Sequence, residues 1–281
     1  MTIQEALAYG RSQLRHTSPT AQLDARLLLQ HILGISHSYL IAHDDEELTV
    51  TQARQYQTLV SRAGQKEPVP YLIGHAPFYG LDFLVTPAVL IPRPETEQLV
   101  DAALAWARNR QTSSLYVVDV GTGSGCIAVV LAGNLPQAHV DAVDISPDAL
   151  ALARQNAQRL APDRIHFHQG SLLAPIRHQP DLVIANLPYV GDEEWTTLDD
   201  GVKLYEPVLA LKGGPSGLEL IRELLQQARS RLNTGGAIFL EVGWRQGSAV
   251  RQLAQSYFPE AQAEIIPDYA GHDRIVAIKT G

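Results

Sequence analysis

The hydrophobic run Asp181-Leu182-Val183-Ile184-Ala185 ends in Asn186-Leu187-Pro188-Tyr189, which places a carboxamide, a proline and an aromatic ring together. These residue types suit an acceptor nitrogen that is planar and carries two N–H donors, as in a primary amide or an exocyclic amine. The lone pair of such a nitrogen is delocalised, so it is a poor nucleophile. The side-chain oxygen of Asn186 and a nearby main-chain carbonyl, such as that of Leu187, can accept both donors and hold the nitrogen in line with an electrophile. Positive character grows on the nitrogen during attack, so these acceptors interact more strongly in the transition state than in the ground state. Tyr189 is expected to cover the planar group and exclude water. The scheme needs neither a metal nor a strong base. Taken alone, the segment is equally well a turn after a strand, where Asn and Pro are common for local reasons.

A second motif supplies the partner. VVDVGTGSGCIAVVLA, residues 117–132, reads as strand, glycine turn and helix. Gly121, Gly123 and Gly125, with Thr122 and Ser124 between them, let the backbone turn sharply and approach a ligand closely. Amides at the start of the following helix can face a negative group. Asp144, with Ile145 beside it, falls at the end of the next strand, where a carboxylate accepts hydrogen bonds from both ribose hydroxyls of an adenosine. An acid at a helix N-terminus before Ser146-Pro147 is the plainer role for Asp144. The spacing is GxGxG, with Cys126 where a dinucleotide fingerprint has its third glycine, and it resembles the S-adenosylmethionine loop of methyltransferases. Cys126 is expected to be a small buried packing residue. Ligands of open α/β sheets bind outside the carboxyl ends of the strands. Asn186, after the fourth strand, is therefore expected beside the glycine loop and close to the methyl group of such a cofactor.

The elements that position these motifs alternate. Extended runs at Leu115–Val120, Val140–Val143, Arg164–His168, Leu182–Ala185 and Ala237–Val242 are separated by helical patterns near 95–110, 124–133, 147–160 and 216–232. That order predicts βαβ units and a parallel sheet covered on both faces. Two final runs, Ala261–Ile266 and Arg274–Ile278, suit an antiparallel hairpin at the sheet edge. The first 70 residues read as helices only. Ser18-Pro19 is expected to start one helix that stops at Gly34, and Ala53, Tyr56, Val60 and Ala63 form the apolar stripe of another. In the proline-rich stretch from Val69 to Pro94, Gly80-Leu81-Asp82 suggests the turn of a hairpin. The domains expected are a helical one over residues 1–70, a hairpin connector over 71–94 and the α/β domain over 95–281.

Composition sets bounds. Hydrophobic residues make up 45% and charged ones 19% of 281, as in a globular chain. The net charge of −8 argues against a nonspecific nucleic-acid binder. One cysteine excludes an internal disulfide and a multi-cysteine zinc site. No apolar stretch is long enough for a membrane span or a secretory leader, so a cytoplasmic location is expected. His166 and His168 alternate along one strand without evident acid or cysteine partners, so no metal site is expected.

The pieces VPYLIGHAPFYGLDFLV (69–85), VLIPRPETEQLV (89–100), VVDVGTGSGCIAV (117–129), ANLPYV (185–190), YEPVLALKGGPSGLELIRELL (205–225) and GHDRIVA (271–277) together resemble the HemK/PrmC family, the protein-(glutamine) methyltransferases of peptide release factors. The resemblance spans nearly the whole chain. It implies a Rossmann-like class I S-adenosylmethionine-dependent methyltransferase sheet behind a small N-terminal helical domain. The implied activity is methyl transfer to the side-chain nitrogen of glutamine in the Gly-Gly-Gln motif of a release factor, with the helical domain docking that protein. Residues 121–125, Asp144 and Ile145 would match the cofactor site, and Asn186 to Tyr189 the glutamine site.

Two departures stand out. Leu187 occupies a position where the family turn is usually proline; leucine still supplies a carbonyl there but not proline's rigidity. Ser171 stands where the family commonly has an acid approaching the adenine, with Leu172 or Leu173 left to pack on the ring. Arg93, Glu95 and Glu97 of the IPRPETE segment suit domain pairing or helix capping at least as well as catalysis, and Glu206 suits either the substrate entrance or a plain loop contact. A monomer with no direct nucleic-acid binding is expected. Other readings stay open at this point: another protein glutamine, an amino group of a nucleic-acid base, a cofactor-binding module without turnover, or, more remotely, an NAD-dependent oxidoreductase.

Overall fold

The computed structural model describes residues 1–110 and 114–281, and the chain divides into two compact units. The first comprises Met1–His75 with Asp199–Glu206, and the second Ala76–Leu198 with Pro207–Gly281.

The first unit holds α1 (Ile3–Leu14), α2 (Ala21–Leu33), α3 (His37–Ala42), α4 (Val50–Gly64) and α5 (Val69–Ile73), joined by α10 (Asp200–Tyr205) from later in the chain. Thr2 and Glu5 form a capping box on α1, and Thr49 and Gln52 another on α4, so orphan amides at both starts are satisfied locally. Leu14, Leu28, Leu29, Tyr56 and Val60 meet in the core of this unit. The Tyr56 hydroxyl donates to the Ala25 carbonyl at 3.2 Å, and burial raises its pKa. Gly34 ends α2 with φ 67°, as the sequence predicts. The start of α2 differs from expectation: it lies at Ala21, after Thr20. Ser18 Oγ instead accepts from Thr20 N and bonds the Asp24 carboxylate, forming a turn ahead of the helix.

From Ala76 the second unit holds the hairpin of β1 (His75–Phe78) and β2 (Leu81–Leu84), all but the first residue of β1. Its turn is Tyr79-Gly80, with φ 52° and 73°, and Leu81 and Asp82 lie in the second strand instead of the turn. Positive φ at both central residues matches the right-handed twist of the strands. Tyr79 is held there because its backbone N–H donates to Glu97 at 2.6 Å and its hydroxyl to Asp101 at 2.7 Å.

Beyond the hairpin come α6 (Pro94–Arg108), β3 (Leu115–Val120), α7 (Cys126–Asn134), β4 (Ala138–Asp144), α8 (Pro147–Leu160), β5 (Ile165–Gln169), β6 (Leu182–Ala185) and α9 (Asp192–Thr197). After α10 the chain continues with α11 (Glu219–Ala228), β7 (Ala237–Glu241), α12 (Gly247–Tyr257), β8 (Gln262–Pro267) and β9 (Asp273–Lys279). Among the described residues seven strands form one sheet in the order β5-β4-β3-β6-β7-β9-β8. The first five are parallel; β9 runs antiparallel between β7 and β8, so the edge strand of the closing hairpin is β8. β6 and β7 are buried along their whole length, because apolar layers cover both faces of the sheet.

The helix α12 is absent from the sequence reading: of its residues only Gly247, Val250 and Ala254 are buried, too narrow a stripe to announce a helix. The predicted helix over 216–232 is shorter, Glu219–Ala228. β5 and β6 are joined by residues 170–181 without a helix.

Candidate functional site

Strand register brings the predicted residues together. Val120 pairs with Val143 on one side and Ala185 on the other, so Gly121, Asp144 and Asn186 leave the sheet from adjacent carboxyl ends. The amides of Gly121 and Thr122 both donate to the Val143 carbonyl, at 2.8 and 3.0 Å. Gly125 caps α7 at φ 82°, and a Cβ there would stand 3.1 Å from that of Ala153, so glycine permits the close approach of α7 to α8. The Asp144 carboxylate is braced from both sides: Oδ2 accepts from Gly123 N and Oδ1 from Ser146 N, each at 2.9 Å. Its plainer role at the helix start is therefore real, and it coexists with a place on the cavity wall.

Two buried residues that the sequence reading passed over support the loop. Asp119 Oδ2 accepts from Thr122 Oγ1 at 2.6 Å and from Ala128 N at 3.1 Å. Its Oδ1 is buried with no hydrogen-bond partner among the described residues. Burial pushes its pKa up to about 7, against the pull of those two hydrogen bonds. Asn156 of α8 donates to the carbonyls of Ser124 and Leu84 and accepts from Leu84 N, tying the glycine loop to β2. Asp119 carried a visible sign, a carboxylate inside an apolar strand; Asn156 carried none.

A cavity of about 380 Å³ opens beside this loop. Gly121, Thr122, Gly123, Ser124, Asp144 and Ile145 line it, as do Ser171, Leu172, Asn186, Leu187 and Pro188. The predicted Gly125 and Tyr189 are not on its wall. Tyr189 lies after the turn, where Gln246 Nε2 donates to its carbonyl at 2.9 Å; burial pushes its hydroxyl up to about 12. Leu173 is buried and points its amide to Gln227 instead of the cavity. Leu172 holds a positive φ of 51°, a strained backbone on the cavity wall. Leu187 is nearly fully buried, in the core against the sheet.

The IPRPETE segment separates into distinct roles. Arg93 precedes α6 and lines the cavity, and Glu97 fixes the hairpin turn. Thr96, which the sequence reading did not single out, is buried; it donates to Glu241 Oε2 at 2.7 Å and accepts from Asn186 Nδ2 at 3.1 Å. Glu241, at the end of β7, was likewise missed, although a carboxylate closing the apolar run Ala237–Leu240 was a readable sign. Burial pushes its pKa up to about 7, while Thr96 and Arg274 favour the carboxylate. Glu206 is buried at the end of α10 in the first unit.

Cys126 is buried at the start of α7, and burial pushes its thiol up to about 12, the inert packing role expected of it. The histidine reading needs correction: His168 does have an acid partner, with Nε2 2.5 Å from Asp141 Oδ1, and His178 Nε2 is 3.2 Å from Oδ2 of the same carboxylate. Asp141 comes from the neighbouring strand, a pairing that sequence order does not reveal. Among the described residues no cluster of three or more His, Cys, Asp or Glu side chains is arranged to hold a metal ion.

An adenosine-bearing cofactor with a charged amino-acid end fits this wall. The cavity volume lies in the range of small-molecule sites. Each Asp144 oxygen keeps a free lone pair after its backbone bond. A Cβ on Gly121 would come within 3.2 Å of Leu187 Cδ2, so glycine keeps the floor open.

Comparison with known proteins decides the family. The model of the PrmC N-terminal domain matches residues 5–74, and that of a methyltransferase domain matches residues 111–257. The release factor glutamine methyltransferase of Koribacter versatilis is 39% identical over 279 residues, covering 98% of both chains. That of Moorella thermoacetica is 41% identical, covering 98% of this chain and 97% of its own. The chain belongs to the release factor glutamine methyltransferases. A methyltransferase structure from Pyrococcus furiosus, 17% identical, superposes with a TM-score of 0.53 over 81% of this chain and 98% of its own, a likeness of fold. As a release factor glutamine methyltransferase the protein uses S-adenosyl-L-methionine, and the class I sheet expected from sequence is the one observed.

Proposed function

We propose that this protein transfers a methyl group from S-adenosyl-L-methionine to the side-chain amide nitrogen of the glutamine in the Gly-Gly-Gln motif of a peptide chain release factor. The observation that carries the reading is that Asn186, Leu187 and Pro188 share one cavity wall with the glycine loop and Asp144. The names and near-complete coverage of the relatives support it.

When bound, the cofactor supplies an electrophilic methyl group on a sulfonium. Asp144 would accept the ribose hydroxyls, the turn at Gly121–Gly125 would receive the amino-acid end, and Ile145, Ser171 and Leu172 would border the adenine. On the substrate side, Asn186 Oδ1 and a main-chain carbonyl of the turn accept the two N–H donors of the glutamine amide. Their pull strengthens as the nitrogen gains positive character, which lowers the barrier without a base. Tyr189 is partly buried and not on the cavity wall, so its part in this reading is to fix the turn's course and close it to water. The thioether S-adenosylhomocysteine would be the leaving group, and the extra amide proton would pass to solvent after the methyl has arrived.

In this reading the helical unit, residues 1–70, docks the release factor, with 71–94 as the connector and 95–281 as the catalytic domain. The protein acts as a cytoplasmic monomer and does not itself grip nucleic acid. Among the described residues no helix is long and apolar enough to cross a membrane.

The test is mass spectrometry of a purified release factor after incubation with this protein and S-adenosylmethionine. One added methyl on the Gly-Gly-Gln glutamine is expected, and Asn186→Ala is expected to reduce it below about 1% of the wild-type rate, the loss typical of a removed transition-state contact. No added methyl, with cofactor binding confirmed by calorimetry, overturns the assignment.

A further inference from the structure

A carboxamide presents a donor and an acceptor of nearly equal shape, and only one of the two can face the cavity usefully. For Asn186 the neighbours decide which. Ala185 pairs with Leu240 across β6 and β7, so Asn186 and Glu241 follow side by side at the carboxyl ends of the two strands, and Thr96 on the first turn of α6 bonds both. Thr96 has one hydroxyl proton, and it goes to Glu241 Oε2 at 2.7 Å. With that proton committed, Oγ1 can only accept, and it accepts from Asn186 Nδ2 at 3.1 Å. The amide nitrogen is thereby turned to Thr96, and Oδ1 is left for the cavity.

We propose that Thr96 and Glu241 are positioning residues for methyl transfer, a directional relay in which the Glu241 carboxylate orients the Thr96 hydroxyl and that hydroxyl holds Asn186 with its oxygen toward the incoming amide. This rests on the glutamine reading above. Thr96 also borders the cavity, but its hydroxyl is engaged by Glu241 and Asn186, so both residues act through Asn186. The relay has a sense. A protonated Glu241 would itself donate to Thr96 Oγ1, the hydroxyl proton would turn to the Asn186 amide, and the amide would reverse to present N–H groups where acceptors are needed.

The buried setting of Glu241 makes that switch accessible. Burial raises its pKa to about 7, with Glu95 of α6 adding to the rise; Thr96 of α6, Arg274 of β9 and Arg93 before α6 oppose it. Tyr189, after β6, also faces it and stays neutral, being pushed up to about 12. A glutamine side chain does not titrate in this range. An acid limb in kcat therefore reports the enzyme.

Thr96→Val keeps the shape and removes the hydroxyl; Thr96→Ser keeps the hydroxyl and removes a methyl. Rates on a release factor at saturating S-adenosylmethionine between pH 5.5 and 8.5, cofactor dissociation constants and melting temperatures are measured for both. Thr96→Val is expected to lose kcat by about 100-fold, the order expected of a misaligned reacting group, with cofactor affinity nearly unchanged. Thr96→Ser is expected to stay close to the wild type, and Glu241→Gln to lose the acid limb. Wild-type kcat in Thr96→Val, or equal loss in Thr96→Val and Thr96→Ser, overturns the relay.

A second readout is independent of the substrate. The ¹⁵N side-chain resonances of Asn186, identified by their absence in Asn186→Ala, are expected to titrate with pH in the wild type and not in Thr96→Val. Titration that persists in Thr96→Val counts against the relay. A wild-type protein that leaves release factor unmodified yet shows the expected resonances counts against the substrate alone.

Discussion

Leu187 Cδ2 stands 3.2 Å from the point that a Cβ on Gly121 would occupy, so the turn after β6 and the glycine loop after β3 are fitted to each other through one leucine and one absent side chain. Leucine at this position thus has its own packing role: it is core on one side and cavity wall on the other. Gly121→Ala brings two penalties, crowding against Leu187 and a side chain at φ 75°. The left-handed conformation alone costs about 1–2 kcal/mol. Cofactor affinity, measured by calorimetry, is expected to fall at least about tenfold, the factor that about 1.4 kcal/mol carries. Leu187→Ala is expected to lower stability by about 2–3 kcal/mol in urea unfolding, as for a buried leucine truncated in place. An unchanged affinity in the first or an unchanged midpoint in the second would show that this fit is not used.

Asp144 offers a charge-assisted acceptor to the cavity while both its oxygens are held by amides. Asp144→Asn removes the charge and places an N–H₂ where one backbone N–H now donates. The weaker bonds and the clash of donors should cost about 1.5–3 kcal/mol in cofactor binding, roughly 10- to 150-fold in Kd. The release-factor KM at saturating cofactor is expected to stay near the wild-type value. Calorimetry and initial rates together check this, and a larger effect on KM than on cofactor affinity would reassign the residue.

The pKa of Asp119 gives stability a pH dependence with a definite sign. Its folded value is raised to about 7 from 3.8, so between those values the folded state holds a proton that the unfolded state has lost. Stability therefore falls as pH rises across that window, and the cost is fully present above it. Asp119→Asn removes this contribution. Guanidinium unfolding from pH 5 to 7.5 should show the variant gaining on the wild type as pH rises; parallel curves would mean the carboxyl is already ionised throughout.

Gly10 sits at a close crossing in the first unit. A Cβ there would lie 2.1 Å from the Tyr56 hydroxyl and 2.9 Å from Ala25 Cβ. Gly10→Ala must push Tyr56 off the Ala25 carbonyl or part the helices, costing about 1–3 kcal/mol or more. Thermal unfolding should show the loss, while cofactor affinity stays as it was.

Much of this protein was legible in its sequence because the decisive features are local. The strand and helix periods, the glycines of the turn at 121–125, the acid at the end of β4 and the Asn-Leu-Pro-Tyr turn follow from neighbours along the chain. The rule that ligands sit at the carboxyl ends of parallel strands then places Asn186 beside the loop. Two local readings shifted, for different reasons: the start of α2 because Ser18 prefers a turn with nearby Asp24, and the hairpin turn because Glu97 and Asp101, on α6 further along the chain, hold Tyr79.

What the tertiary structure decided is every relationship between residues far apart in sequence. Thr96, Asn186 and Glu241 come from three elements, and only the pairing of β6 with β7 under α6 makes them a chain of hydrogen bonds. Asn156 reaches two carbonyls that no spacing rule connects to it. Asp141 of β4 stands between two histidines, His168 of the adjacent β5 and His178 of the connection that follows it. Tyr189, four residues from the end of a correctly read strand, is not on the cavity wall, although Asn186, Leu187 and Pro188 before it are, because which side chains of a turn reach a cavity depends on what packs around them. Sequence determines which groups are available and on which strand end they emerge; the side-chain partners that fix an amide's direction or a carboxyl's charge are chosen by packing.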